Sequence, residues 1–169
     1  MQLNNMSNKC YDLDDSLGYL VNQTARAMSH QLNQNFLQIG LNVTSEQWAV
    51  LVQLWGDDGL NQQEIACKVG KDKASITRLV DGLEKRNLVV RISDKSDRRN
   101  KLIYLTKEGK RVKEQLLGVA EDTLNDLQQG ISKSDLENCK NVLRQVFKNC
   151  LHACNRGVEP GFDQKKHVE

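Results

Sequence analysis

The sequence has a single proline, Pro160, and only 11 glycines in 169 residues. Helix breakers are therefore scarce, and most of the chain is free to be helical. No apolar run reaches the 18 or so residues that a membrane-spanning helix needs, so no such helix is expected. The opening stretch, MQLNNMSNKCYDLDD, lacks the basic start and apolar centre of a signal peptide. The expected location is the cytoplasm. Five cysteines (Cys10, Cys67, Cys139, Cys150, Cys154) are odd in number and scattered. They fit neither a disulfide framework nor the close pairs of a zinc site, so free thiols are expected. There are three histidines and no glycine-rich phosphate loop, nucleophile elbow or HExxH pattern. Those absences argue against an enzyme and call for no metal and no cofactor.

What remains is ordinary globular composition, 38% hydrophobic and 27% charged, at a length that suits one domain. The net charge of +2 hides an asymmetry. Residues 71–111 hold 13 Lys and Arg against 6 Asp and Glu, a local +7, which leaves −5 for the rest. A concentrated positive stretch is the electrostatic footprint of a nucleic-acid binder.

Apolar residues from Leu13 to Ile39 recur in steps of three and four, which predicts one long amphipathic helix stopped by Gly40. Thr44, with Gln47 three residues on, reads as a capping box. The helix it opens, EQWAVLVQLWG, is apolar nearly all round and belongs in the interior. Asn61 and Glu64 repeat the capping pattern for a short third helix that ends at Gly70, and Asp72 caps a fourth that runs to about Asn87.

On that fourth helix Ile76, Leu79, Val80 and Leu83 share one face. The other carries Ala74, Thr77, Arg78, Asp81 and Lys85, with Lys73 and Ser75 flanking. A small residue, hydroxyls and an arginine near an exposed helix start suit the major groove, where arginine bridges guanine O6 and N7. Two β-branched segments, LVVRI (88–92) and KLIYL (101–105), then bracket the loop SDKSDRRN. A long basic hairpin tip can reach a neighbouring minor groove. Thr106 caps a further helix with the stripe Val112, Leu116, Val119, Ala120, Leu124 and Leu127. Gly130 breaks it, and Ser132 with Asp135 opens the last helix. The fold class read from this pattern is mainly α with a small β-hairpin wing: a winged helix-turn-helix flanked by N- and C-terminal helices.

With TSEQWAVL, NQQEIACKVG, KASITRLVDGLEKRNLVVR and SDRRNKLIYLTKEG in place, the chain resembles the MarR family of bacterial winged-helix regulators, named for multiple antibiotic resistance. The match runs from about Leu17 to Leu151. It implies a homodimeric repressor, or an activator, on a pseudopalindromic operator in double-stranded DNA, released by a small aromatic or phenolic effector or by cysteine oxidation. By position, Lys73, Ser75, Thr77 and Arg78, with Ala74 beside them, read the major groove. Arg99 enters the minor groove, supported by Asp97 and Arg98. The two readers then lie roughly 34 Å apart.

The implied organisation is a flexible 1–12, one domain over 13–154 and a disordered tail over 155–169. Within the domain, 41–106 is the DNA-binding part, and 13–39 with 107–154 form the dimer. The interface residues expected are Leu13, Leu17, Leu116, Leu136, Leu143, Val146, Phe147 and Leu151. His30, Asn33, Trp48 and Trp55 are the candidate effector lining, with core packing the competing role of both tryptophans. Two alternatives stay open: a winged-helix protein-interaction module without DNA, and a redox-sensing regulator. Against the second, Gly18 stands where the family's peroxide-sensing branch carries its cysteine.

Overall fold

The computed structural model describes residues 12–97 and 99–154, the last three by backbone alone. The expectations for residues 1–11, for Arg98 and for the tail from Asn155 lie outside the described residues. Helix α1 spans Leu17–Gln38 and starts later than the apolar stripe suggests. Ser16 is extended, and its N–H donates to the Leu13 carbonyl at 3.0 Å, so Leu13 sits in a turn ahead of the helix. The helix α2 (Ser45–Gly56) begins with the expected capping box. Thr44 Oγ1 accepts the Gln47 N–H, and Gln47 Oε1 accepts the Thr44 N–H, each at 3.2 Å. Two otherwise orphaned donors are satisfied by one residue pair.

Strand β1 is Leu60–Asn61, too short to leave an alternating pattern, and the sequence reading lacks it. It is followed by α3 (Gln62–Val69) and α4 (Lys73–Lys85). Strands β2 (Val89–Ser93) and β3 (Lys101–Leu105) complete an antiparallel sheet in the order β1-β3-β2. In its register Val89 faces Leu105, Arg91 faces Ile103 and Leu60 faces Ile103 from the other side. The loop between β2 and β3 is closed by the Asp94 N–H donating to the Asn100 carbonyl at 3.0 Å.

The helix expected after Thr106 is interrupted. It forms as α5 (Lys107–Arg111) and α6 (Lys113–Leu127), with Val112 between them at φ −77 and ψ −3. Thr106 caps α5 by accepting the Gly109 N–H at 3.0 Å. Gly109 itself lies against β2's approach: a Cβ there would come 2.0 Å from the Leu88 carbonyl oxygen. Only glycine fits, because α5 is laid directly on the backbone that leads into the wing. Finally, α7 spans Lys133–Cys154, opened by Ser132, whose Oγ accepts the Asp135 N–H.

The core lies between α2, α4 and β3. Phe36, Val50, Leu51, Ile65, Ile76, Val80, Leu83, Ile103, Val112 and Leu116 are all fully buried there. Leu116 thus packs within its own chain, not at an interface between chains. It follows Val112 by one turn, and that face of α6 turns inward to the core. By contrast α7 keeps several apolar side chains open, with Phe147 at 65% and Val142 at 56% exposure.

Candidate nucleic-acid interface

The α3–α4 unit is fixed by local chemistry at three corners. Asn61 Oδ1 accepts the N–H groups of Gln63 and Glu64, and Glu64 Oε2 accepts the Asn61 N–H at 2.7 Å. Gly70, at φ 66, ends α3 in the left-handed conformation. Two residues later Asp72 caps α4, taking the Ser75 N–H at 2.8 Å and the Ser75 hydroxyl at 2.6 Å. The Ser75 hydroxyl, then its N–H, hold the Asp72 carboxyl below the usual carboxylate range.

With Ile76, Val80 and Leu83 buried, α4 turns Lys73, Ala74, Arg78 and Lys85 to the exterior. The two hydroxyls expected to read bases are engaged internally. Ser75 donates to Asp72, and Thr77 Oγ1 lies 2.9 Å from the Lys73 carbonyl and 3.3 Å from Gln62 Oε1. Both keep acceptor lone pairs for an incoming donor.

At the wing tip Asp97 Oδ1 accepts the Arg99 backbone N–H at 3.0 Å and faces Arg99 Nε at 3.3 Å. Asp97 therefore braces Arg99 itself, while that side chain stays 93% exposed. The other side of the loop is tied by Asp94, which accepts the Ser96 N–H and hydroxyl, each at 2.8 Å. Those bonds, the backbone one first, lower the Asp94 pKa. Arg98 lies outside the described residues.

Arg91 was not among the expected site residues. From β2 it donates to Asp81 at 2.6 Å and to Glu84, both on α4, and is only 21% exposed. The clamp ties β2 to α4 and pairs both carboxylates. A signal existed: Arg91 follows buried Val89 by two, so it occupies an inward strand position.

The four candidate effector residues do not share one cavity. His30 and Asn33 line an open groove of about 740 Å³ between α1 and the start of α2. Trp48 lines a separate apolar cavity of about 240 Å³ with Met28, Leu32, Ala120, Leu124 and Leu127. Trp55 lies at a third hollow, its Nε1 donating to the Gly109 carbonyl at 3.0 Å. Among the described residues the buried Trp48 Nε1 has no acceptor. Of the expected interface residues, Leu13, Leu17, Leu143, Phe147 and Leu151 are exposed, and Leu136 and Val146 are half-buried. Cys67, Cys139 and Cys150 are exposed free thiols, and Gly18 on α1 has open space beside it.

The sequence profile of the MarR family matches residues 43–101, from the last loop before α2 to the start of β3. The transcriptional regulator SarZ of Staphylococcus aureus is 32% identical over 109 residues, covering 64% of this chain and 72% of that protein. The chain belongs to the MarR family. It is thus a relative of transcriptional regulators rather than of enzymes. Among solved structures, CouR from Rhodococcus jostii, bound to p-coumaroyl-CoA, superposes with a TM-score of 0.67 at 32% identity. That match covers 81% of this chain and 95% of CouR. PcaV from Streptomyces coelicolor, in complex with its natural ligand, gives 0.71 at 26% identity, covering 82% and 96%. These MarR structures share the winged helix-turn-helix with its flanking helices. No helix among the described residues is long and apolar enough to cross a membrane.

Proposed function

We propose that this MarR-family regulator is a cytoplasmic, non-catalytic homodimer that binds a pseudopalindromic operator as a repressor. In this reading α4 enters the major groove with Lys73, Ala74 and Arg78 leading. Ser75 and Thr77 accept hydrogen bonds from base or neighbouring side-chain donors. Arg99 follows the minor groove, held in place by Asp97, with Arg98 adding charge to the wing. The carrying observation is the outward face of α4 beside a wing-tip arginine that is 93% exposed. A protein-interaction module has no need of that arrangement, and positive charge on both probes suits phosphate.

The dimer in this reading is built from α1, the turn ahead of it and α7, through Leu13, Leu17, Leu136, Leu143, Val146, Phe147 and Leu151. The effector is a small aromatic or phenolic molecule. The cavity at Trp48 supports this: about 240 Å³ exceeds the roughly 150 Å³ that holds a bare benzene ring. The Trp48 indole N–H is itself buried, so what the cavity offers an aromatic ring is an apolar wall. The ligand of CouR, p-coumaroyl-CoA, carries a phenolic acyl group at one end. His30 and Asn33 flank the neighbouring groove, where a polar extension of the effector would run. Trp55 keeps a structural role in this reading, through its bond to Gly109.

The deciding experiment is selection of bound duplexes from a random pool, followed by fluorescence anisotropy on the winning sequence. Wild-type protein is expected to prefer that duplex over random DNA at moderate salt. Arg78→Ala is expected to relax preference at one base pair by about 1–3 kcal/mol. Equal affinity of the wild type for selected and random duplexes overturns the reading.

A further inference from the structure

Three consecutive residues in the first turn of α2 each touch a different element. The Ser45 N–H donates to Asn33 Oδ1 on α1 at 2.6 Å. The Glu46 carboxylate pairs with Lys71, in the turn between α3 and α4. Gln47, a polar side chain only 6% exposed, lies against Gly82 in the middle of α4. A Cβ at Gly82 would stand 2.3 Å from Gln47 Nε2. Glycine in a helix interior weakens the helix relative to alanine, so this position gives up helix stability for a close approach.

From these contacts we propose that Gln47 and Glu46 are positioning residues for DNA reading: they set the depth and tilt at which α4 is presented, although neither faces DNA. The inference rests on the DNA-reading function proposed above. The ion pair to Lys71 is partly exposed and screened, which makes it the weaker tie. The contact at Gly82 is the stronger, because packed interiors do not yield smoothly. Gln47 is held from the other side by one arm of its capping box, so its side chain withdraws only at the cost of the bond to the Thr44 N–H. The same turn also forms one wall of the open groove, where Thr44, Ser45 and Glu46 face Arg26, His30 and Asn33.

The test uses full-length Gly82→Ala, Gln47→Ala and the double variant, with the duplex selected by the wild type as probe. Gly82→Ala is expected to bind about tenfold more weakly, a typical coupling factor between linked sites. Its thermal midpoint should stay level or fall, because the close approach to Gln47 offsets the gain in helix propensity. The slope of affinity against salt should not change, because the phosphate contacts remain. In the Gln47→Ala background the added methyl has room, and the loss should shrink to about twofold or less. Full affinity for Gly82→Ala, or an equal loss in both backgrounds, overturns the proposal. Should Gly82→Ala not fold, Gln47→Asn shortens the side chain without adding atoms, and wild-type affinity in that variant overturns it equally. Arg78→Ala separates the two levels. If it binds like the wild type and the wild type binds selected and random duplexes equally, DNA reading itself fails; if it weakens while Gly82→Ala does not, only the positioning role fails.

Discussion

Arg91 on β2 holds Asp81 on α4 at 2.6 Å, across ten residues of sequence and between two elements that both face outward at the reading surface. The same guanidinium takes Glu84 one turn further along the helix. These two ion pairs tie β2 to α4 at adjacent turns of the helix. Arg91→Ala is expected to leave two carboxylates unpaired at that surface and to destabilise the fold by about 2 kcal/mol, the common scale for breaking a partly buried charged network. Urea unfolding checks the stability. Anisotropy checks that affinity falls as well, which follows if the freed carboxylates repel phosphate. A variant of unchanged stability would show that the clamp is ornamental.

Arg99 stands at the opposite extreme of exposure, its side chain tied among the described residues by Asp97 at 3.3 Å. Its replacement by alanine should leave the unfolding transition where it was, since an exposed ion pair contributes about 0–1 kcal/mol. Affinity for DNA should fall, and the slope of log affinity against log salt should flatten by about 0.9, one phosphate contact's worth. Unchanged slope and affinity would remove the wing from the interface.

Features carried by residues three or four apart were legible in the chain. Thr44 with Gln47, Asn61 with Glu64 and Asp72 with Ser75 are contacts within one turn, and each cap forms where its pattern predicted. What stayed hidden depends on distant partners. Gln47 and Gly82 meet only because α2 and α4 pack together, and Arg91 finds Asp81 only once β2 folds back along α4. β1 escaped because two residues carry no period. Leu116 was misassigned to an interface because an apolar stripe states that a face is buried, not which partner buries it. The wing motif acquired its reason from structure: Thr106 caps α5, and Gly109 lets that helix rest on the Leu88 carbonyl.

The Asp72 cap makes a prediction about acid. Its carboxyl is depressed by the Ser75 hydroxyl and N–H, so its charge contributes stability above its unfolded pKa, and that contribution is lost as pH falls through the lower folded value. Asp72→Ala should therefore melt below the wild type at pH 7, and the gap should narrow as pH falls below about 4, the ordinary aspartate value, towards the lower pH at which the folded carboxyl takes up its proton. Thermal melts of both proteins between neutral and acid pH test this. A gap that stays constant into acid would mean that the cap acts through geometry alone and owes nothing to its charge.

The apolar side of α7 bears on how two readers are held apart. Phe147 is 65% exposed and Val142 56%, with Leu143 at 37% and Leu151 at 38% along the same helix. Covering a phenylalanine gains about 1.5–3 kcal/mol, and a two-fold interface counts every residue twice. Phe147→Glu should then lose that gain on both chains and bury two charges at the contact, enough to shift a dimer to the mass of one chain in light scattering. Because α7 lies outside the core, the monomer should keep the wild-type helical content by circular dichroism. Its affinity for the selected duplex should collapse toward that for random DNA, since one recognition helix meets only one half-site. If Phe147→Glu stays dimeric and binds normally, the interface lies on other elements, and the spacing of the readers is not set by α7.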